Sequence, residues 1–174
     1  WQTQTSSIAT LSVIDDKDDA SNKVLQVVGS AGGAQANFYL GEAGILEVGK
    51  TYTVSYDVRK TEGTEGGFYN YSDQVVGGWT SHGWKALSQD WTKIEYEIIP
   101  TQSTAWAQIG LQLEAACTVE IDNFSITWEE TKLESVTADI VTNGDFEAGN
   151  YQSGVNGWQT QTSSIATLSV IDDK

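Results

Sequence analysis

Residues 1–17 and 158–174 of this 174-residue chain are the same seventeen amino acids, WQTQTSSIATLSVIDDK, identical at every position and offset by 157. Such self-similarity is read first because it sets the unit of architecture, and a period of this length is about one domain. Two origins produce it. One is a tandem array of near-identical modules, sampled for one period plus an overlap and cut out of phase with the module boundary. The other is a duplication introduced into the chain. The array is the reading carried forward, and it has a physical consequence: a β-sheet offers one slot for a given strand, so two copies cannot fill it together. If 140–174 is one continuous front end, it belongs to the module that follows, and 1–17 completes a module whose body is 18–128. The front end of that body, equivalent to 140–157, then comes from a neighbouring chain or is missing. An unpaired sheet edge is a template for another chain. Other copies of this chain, joined head to tail by strand donation or tandem contiguity, are therefore the expected partners. The chain opens at Trp1 with neither Met nor a basic leader, as expected of a piece of something longer.

Period-two alternation dominates the body. Thr51–Lys60 puts Tyr52, Val54, Tyr56 and Val58 on one face and Thr51, Thr53, Ser55 and Asp57 on the other, the pattern of a strand with one buried side. Trp91–Ile99 repeats the form, with Ile94, Tyr96 and Ile98 inward, Lys93, Glu95 and Glu97 outward, and Trp91 expected in the core. Further strands are expected at Ser7–Ile14, Lys23–Val28, Ala34–Leu40, Gly67–Ser72, Ala105–Leu113 and Thr118–Thr127, punctuated by clusters such as Gly29–Gly33 and Gly41–Gly44. Many short strands without a helical crossover predict an all-β fold, an antiparallel β-sandwich of jelly-roll rather than immunoglobulin type, two classes that sequence separates poorly. The polar, unpatterned stretch 129–139 reads as a linker.

Charge narrows the partners. Nine Lys and Arg against 24 Asp and Glu give a net charge of −15. Nucleic acid and anionic membrane surfaces both call for cationic side chains and are not expected partners. No apolar run approaches the roughly 20 residues that span a bilayer, so membrane insertion is not expected. The single Cys117 cannot form an internal disulfide, and His82 has no second His or Cys for a zinc site.

In rotated order, 140–174 followed by 18–128, the chain resembles the carbohydrate-binding modules of the family 4, 9 and 22 type, jelly-roll domains attached to glycoside hydrolases. The residues that carry the resemblance are IVTNGDFEAG at Ile140–Gly149 with Gly157–Trp158, KVLQVV at Lys23–Val28, VGKTYTVSYDVR at Val48–Arg59, WTKIEYEI at Trp91–Ile98 and VEIDNFSI at Val119–Ile126. The resemblance implies non-catalytic binding of β-glucan or xylan, an extracellular or cell-surface location, and a structural calcium near Glu147 and Asp122. The identical tandem duplication is a departure that suits a surface fibre or adhesin. At Asp122 the alternation slips, since Val119 and Ile121 share one parity and Phe124 and Ile126 the other, which predicts a β-bulge that re-aims the carboxylate. A solvated acidic patch is the competing reading of Asp122. Asp15–Asp19 (DDKDD) lacks the glycine of a calcium loop and reads as a charged turn.

Sugar binding calls for flat rings to stack on pyranose faces, with amides or carboxylates beside them, all on a rigid sheet. Parity in Ala105–Leu113 sends Trp106, Gln108, Gly110 and Gln112 away from the core. In Ala34–Leu40 it does the same for Gln35, Asn37 and Tyr39. Phe68–Tyr71, with Tyr69, and a loop holding Trp79, His82 and Trp84 are expected to wall the cleft. The alternative is that these aromatics pack between neighbouring modules, where Trp and Tyr are equally favoured. No Gly-x-Ser-x-Gly elbow, His-Glu-x-x-His helix or phosphate loop occurs. Glu95 and Glu97 share a strand face without an identifiable partner acid, so an enzyme is not expected. Two functions remain in view: a non-catalytic repeat of a surface or fibre-forming protein, and a polysaccharide-binding module of a hydrolase or adhesin.

Overall fold

Successive side chains on a strand point to opposite faces, and the alternating segments of this chain use that property to build two antiparallel sheets around one core. The computed structural model describes residues 1–41, 45–63, 65–103, 106–130 and 136–139. The strands are β1 (Ala9–Asp15), β2 (Lys23–Gly29), β3 (Gln35–Leu40), β4 (Tyr52–Gly63), β5 (Gly67–Asp73), β6 (Thr80–Ala86), β7 (Thr92–Ile98), β8 (Ala107–Leu113), β9 (Cys117–Glu130) and β10 (Val136–Asp139), with no helix among the described residues. One sheet runs β1-β2-β9-β4-β7 with β10 alongside β9, and the other runs β3-β8-β5-β6. This is the expected antiparallel sandwich.

The core lies between the sheets. Tyr52, Val54, Tyr56 and Val58 of β4, with Ile94, Ile98, Ile121, Phe124 and Ile126, meet Ala36, Phe38, Leu40, Phe68, Ile109, Leu111 and Leu113 of the facing sheet. The expected bulge is present in β9. Ser55 pairs with Ser125 but Asp57 pairs with Asp122, so β9 carries one extra residue there. Asn123 takes a left-handed φ of 50°, a conformation asparagine tolerates better than most residues.

The N-terminal copy of the repeated segment is built into this sandwich. Trp1 is buried, with its ring edge-on to Phe38 and Phe124 at centroid distances of 6.1 and 4.7 Å. Gln2 exchanges both backbone hydrogen bonds with Asn37 of β3, at 2.9 and 2.8 Å, and the Thr5 hydroxyl accepts from the Gln35 N–H at 2.9 Å. Farther along, β1 pairs with β2 from Ala9↔Gly29 to Asp15↔Lys23. One segment thus closes an edge of each sheet and straps them together. Residues 158–174, and Glu147 with the rest of 140–174, lie outside the described residues.

The strap ends in a buried ion cluster. Arg59 of β4 is 3% exposed and donates to Asp16 at 2.7 Å, to Asp18 at 2.6 Å and to Glu120 of β9 at 2.7 Å. Asp16 and Glu120 are buried as well. Trp91, expected in the core, is half-buried instead and lies 4.3 Å from the guanidinium, ring face to cation. A partly desolvated Arg gains from a π face in a way that a core aliphatic does not. The DDKDD stretch is therefore an anchor rather than a simple charged turn.

Two further expectations are corrected. The loop expected around Trp79–Trp84 contains β6, whose alternation is hidden by an irregularity: Tyr69 pairs with Trp84 but Tyr71 with Ser81, and Gly83 takes a φ of 109° that only glycine adopts easily. The stretch 129–139, expected as a linker, is strand at both ends, with β10 pairing antiparallel to Thr127–Glu130. Backbone pairing holds β10 against β9 without an apolar alternation to announce it.

Removing one partner of a buried ion cluster leaves uncompensated charge, at a cost of about 3–5 kcal/mol. Arg59→Met is expected to lower the urea unfolding free energy by roughly that amount. Acid acts on the same contacts. Burial pushes the Asp16 carboxyl up, but the Asp18 N–H, Arg59 and Asn22 outweigh it and hold Asp16 below its ordinary pKa. Its stabilisation is complete above the unfolded value of about 3.9 and is lost as pH falls through the lower folded value. Urea midpoints of the parent chain are therefore expected to drop below about pH 4, and by less in Arg59→Met.

Candidate functional site

The two faces of the four-stranded sheet differ in chemistry. One is the apolar core face. The other carries Gln35, Asn37 and Tyr39 from β3, Gln108, Gly110 and Gln112 from β8, and Tyr69, Tyr71 and Asp73 from β5. Register sets these side by side in transverse rows. Gln35, Gln112, Tyr69 and Trp84 form the first row; Asn37, Gly110, Tyr71 and Ser81 the second; Tyr39, Gln108 and Asp73 the third. Neighbouring strands are about 4.8 Å apart, so adjacent members of a row lie within side-chain reach of each other.

Ring pairs flank the rows. Trp106 stacks with Tyr39 at 6.4 Å and an interplanar angle of 19°, and Trp79 stacks with Tyr71 at 5.5 Å and 25°. Trp79 and Trp84 are 48% and 47% exposed, large apolar surface left in solvent. The Trp84 indole N–H donates to Glu114 at 3.1 Å, and the Gln35 amide donates to Gln112 at 3.0 Å. Glycine makes room for both features. A Cβ on Gly67 would sit 2.4 Å from the Trp84 ring, and one on Gly110 would sit 2.2 Å from the Ala36 carbonyl and 2.8 Å from Asn37 Oδ1. Gly110 thereby lets the Asn37 amide lie over β8, where its oxygen accepts a hydrogen bond from the Tyr71 hydroxyl. Burial pushes the Tyr71 phenol well up, which keeps it a protonated donor.

All seven residues that the sequence singled out for sugar contact, Tyr39, Tyr69, Trp79, Trp84, Trp106, Gln108 and Gln112, belong to this one face. Gln108 is only 1% exposed and forms floor rather than rim. His82 points elsewhere: the bulge turns it toward the other sheet, where it bonds Ser72 Oγ at 2.7 Å and stacks on Tyr96 at 5.1 Å. Sequence reasoning placed Asn37 and Tyr71 near the site but gave neither a role, and it missed Gln2 and Asp73. Only the pairing of β3 with the N-terminal strap and of β5 with β8 brings them in.

Asp122 lies on the opposite sheet. It is buried, and its carboxylate accepts from the Asn22 amide at 3.0 Å and the Asn123 N–H at 2.7 Å. Burial outweighs these bonds and raises its pKa, with Asp57 and Asp16 adding to the effect. Among the described residues no group of three His, Cys, Asp or Glu side chains gathers to hold a metal. They thus supply only the Asp122 half of the expected pair with Glu147.

No protein-family model matches the sequence, and no curated protein matches it. Solved structures match in fold. The CBM22-1 xylan-binding domain of Paenibacillus barcinonensis Xyn10C is 13% identical, over 71% of this chain and 82% of that one, with a TM-score of 0.52. The CBM22-1–CBM22-2 tandem of the same protein is 16% identical, over 85% of this chain and 46% of the tandem, with a TM-score of 0.59. TmCBM61, solved in complex with β-1,4-galactotriose, is 15% identical over 73% of this chain and 86% of that one, with a TM-score of 0.50. The chain has the jelly-roll fold of carbohydrate-binding modules.

Proposed function

We propose that the outer face of the four-stranded sheet holds a polysaccharide chain without cleaving it. The observation that carries this reading is the convergence of aromatic rings and side-chain amides in three transverse rows on one rigid sheet. Rings stack on the apolar faces of pyranoses and amides bond their hydroxyls. None of the residues forming the rows is cationic, which suits a neutral glycan. β-Glucan and xylan are the proposed substrates, and the xylan-binding domain that shares this fold supports the second. An extracellular or cell-surface location belongs to the same reading.

A second reading, self-association, rests on a different observation. The strap 1–17 fits a slot spanning both sheets, and 158–174 repeats it residue for residue. A second copy of the chain carries the same sequence at 158–174, and exchange of that segment for the resident 1–17 would join copies head to tail into a fibre. A structural calcium shared by Asp122 and Glu147 is the third element. It is supported by a buried carboxylate whose raised pKa a cation would relieve.

Affinity electrophoresis through xylan, mixed-linkage glucan and laminarin tests the main reading. At least one is expected to retard the chain, and Trp106→Ala or Trp79→Ala to weaken that retardation roughly tenfold, as deletion of a central ring usually does; a chain retarded by none is not a binder of this class. Size-exclusion chromatography tests assembly: the full chain is expected to form concentration-dependent oligomers, and a version ending at residue 157 to run as a monomer. Calcium chloride is expected to raise the melting temperature over that in a chelator for the parent chain, with no rise in Asp122→Ala.

A further inference from the structure

The repeated segment reaches the outer face itself. Gln2 and Asn37 are a hydrogen-bonded antiparallel pair, so their side chains lie next to each other on the same side of the sheet. Both are buried, at 5% and 0% exposure. From Asn37 the contacts continue outward: its amide oxygen takes the Tyr71 hydroxyl, and the Tyr71 ring carries Trp79, half of which faces solvent.

This chain of contacts is costly where it is most buried. Gln2 Nε2, Asn37 Nδ2 and Gln108 Oε1 have no hydrogen-bond partner among the described residues, and a buried polar group without one is destabilising. Asn37 makes two contacts at once: its side-chain oxygen accepts from the Tyr71 hydroxyl while its backbone holds the strap.

We propose that Gln2 and Asn37 are positioning residues: seating of the strap on β3 sets the Tyr71–Trp79 ring pair, so that strap docking and ligand binding at the outer face stabilise each other. The linkage is reciprocal by thermodynamic necessity. It also joins the repeat to the site, because an identical strap from a second copy would bring the same Gln side chain to the same place. The affinity arm of the test rests on the polysaccharide reading; the spectroscopic arm does not.

Gln2→Pro removes the N–H that bonds the Asn37 carbonyl, and Tyr71→Phe keeps the ring but removes the hydroxyl. In 1H–15N spectra without ligand, Gln2→Pro is expected to move the Trp79 indole N–H, assigned by Trp79→Phe, and to leave the Trp91 indole in place. An unmoved Trp79 signal overturns the proposal. With whichever of xylan, mixed-linkage glucan or laminarin retards the parent chain most, each variant is expected to weaken retardation at least threefold. The double variant is expected to be no weaker than the weaker single. Additive losses, or none, overturn it too. If no glycan retards the parent chain, the polysaccharide reading falls and the Trp79 signal alone decides the coupling. Should Gln2→Pro fail to fold, Tyr71→Phe supplies the same readout in reverse: faster hydrogen exchange at the Gln2 and Asn37 amides is expected, and unchanged exchange refutes the link.

Discussion

A buried guanidinium ties this sandwich together. Arg59 stands on the strand that joins β7 to β9, and its nitrogens reach Glu120 within the sheet, Asp16 at the end of the strap and Asp18 just beyond it. Each of those carboxylates is oriented by the same cation, and Trp91 covers its outer face. An arrangement of this kind is held by geometry more than by net attraction, because desolvation offsets most of the Coulomb gain. The cluster holds the end of the strap at Asp16, from which the rest of the segment is delivered along β2 and then across to β3.

That delivery matters because the strap is the only described segment to border both sheets on that side. Its first residues pair with β3 and its later ones with β2. Trp1 meanwhile seals the core against Phe38 and Phe124. The outer face of the second sheet is in this way flanked by a segment whose exact duplicate occurs at the other end of the chain. The outer face and the repeat, two separate clues in the sequence, meet physically at Gln2 and Asn37.

The face itself shows how much register decides. Tyr69 and Trp84 become neighbours through a hairpin, whereas Tyr69 and Gln112, or Tyr39 and Gln108, become neighbours only through pairing across long stretches of chain. Gly67 and Gly110 keep the surface low enough for an indole and an amide to lie across it. A substitution at either glycine would reshape the face without touching the apolar core. His82 illustrates the converse, since one irregular residue pair in β6 turns it from the cleft toward Tyr96.

The sequence by itself determined the class of fold and the two sides of most strands, because side-chain direction alternates with every residue regardless of what the strand later pairs with. It also located the β9 bulge, where the apolar parity shifts between Ile121 and Phe124, and the seven ring and amide residues of the outer face. Tertiary structure alone decided the rest. Arg59 alternates with the core residues of β4 and so reads as solvent-facing; burial comes only when Asp16 and Trp91 close over it. β10 was not legible because backbone pairing leaves no mark on composition, and β6 because a left-handed glycine interrupts its pattern. Rows of side chains across a sheet depend on which residues of distant strands come opposite one another, and no single strand carries that information.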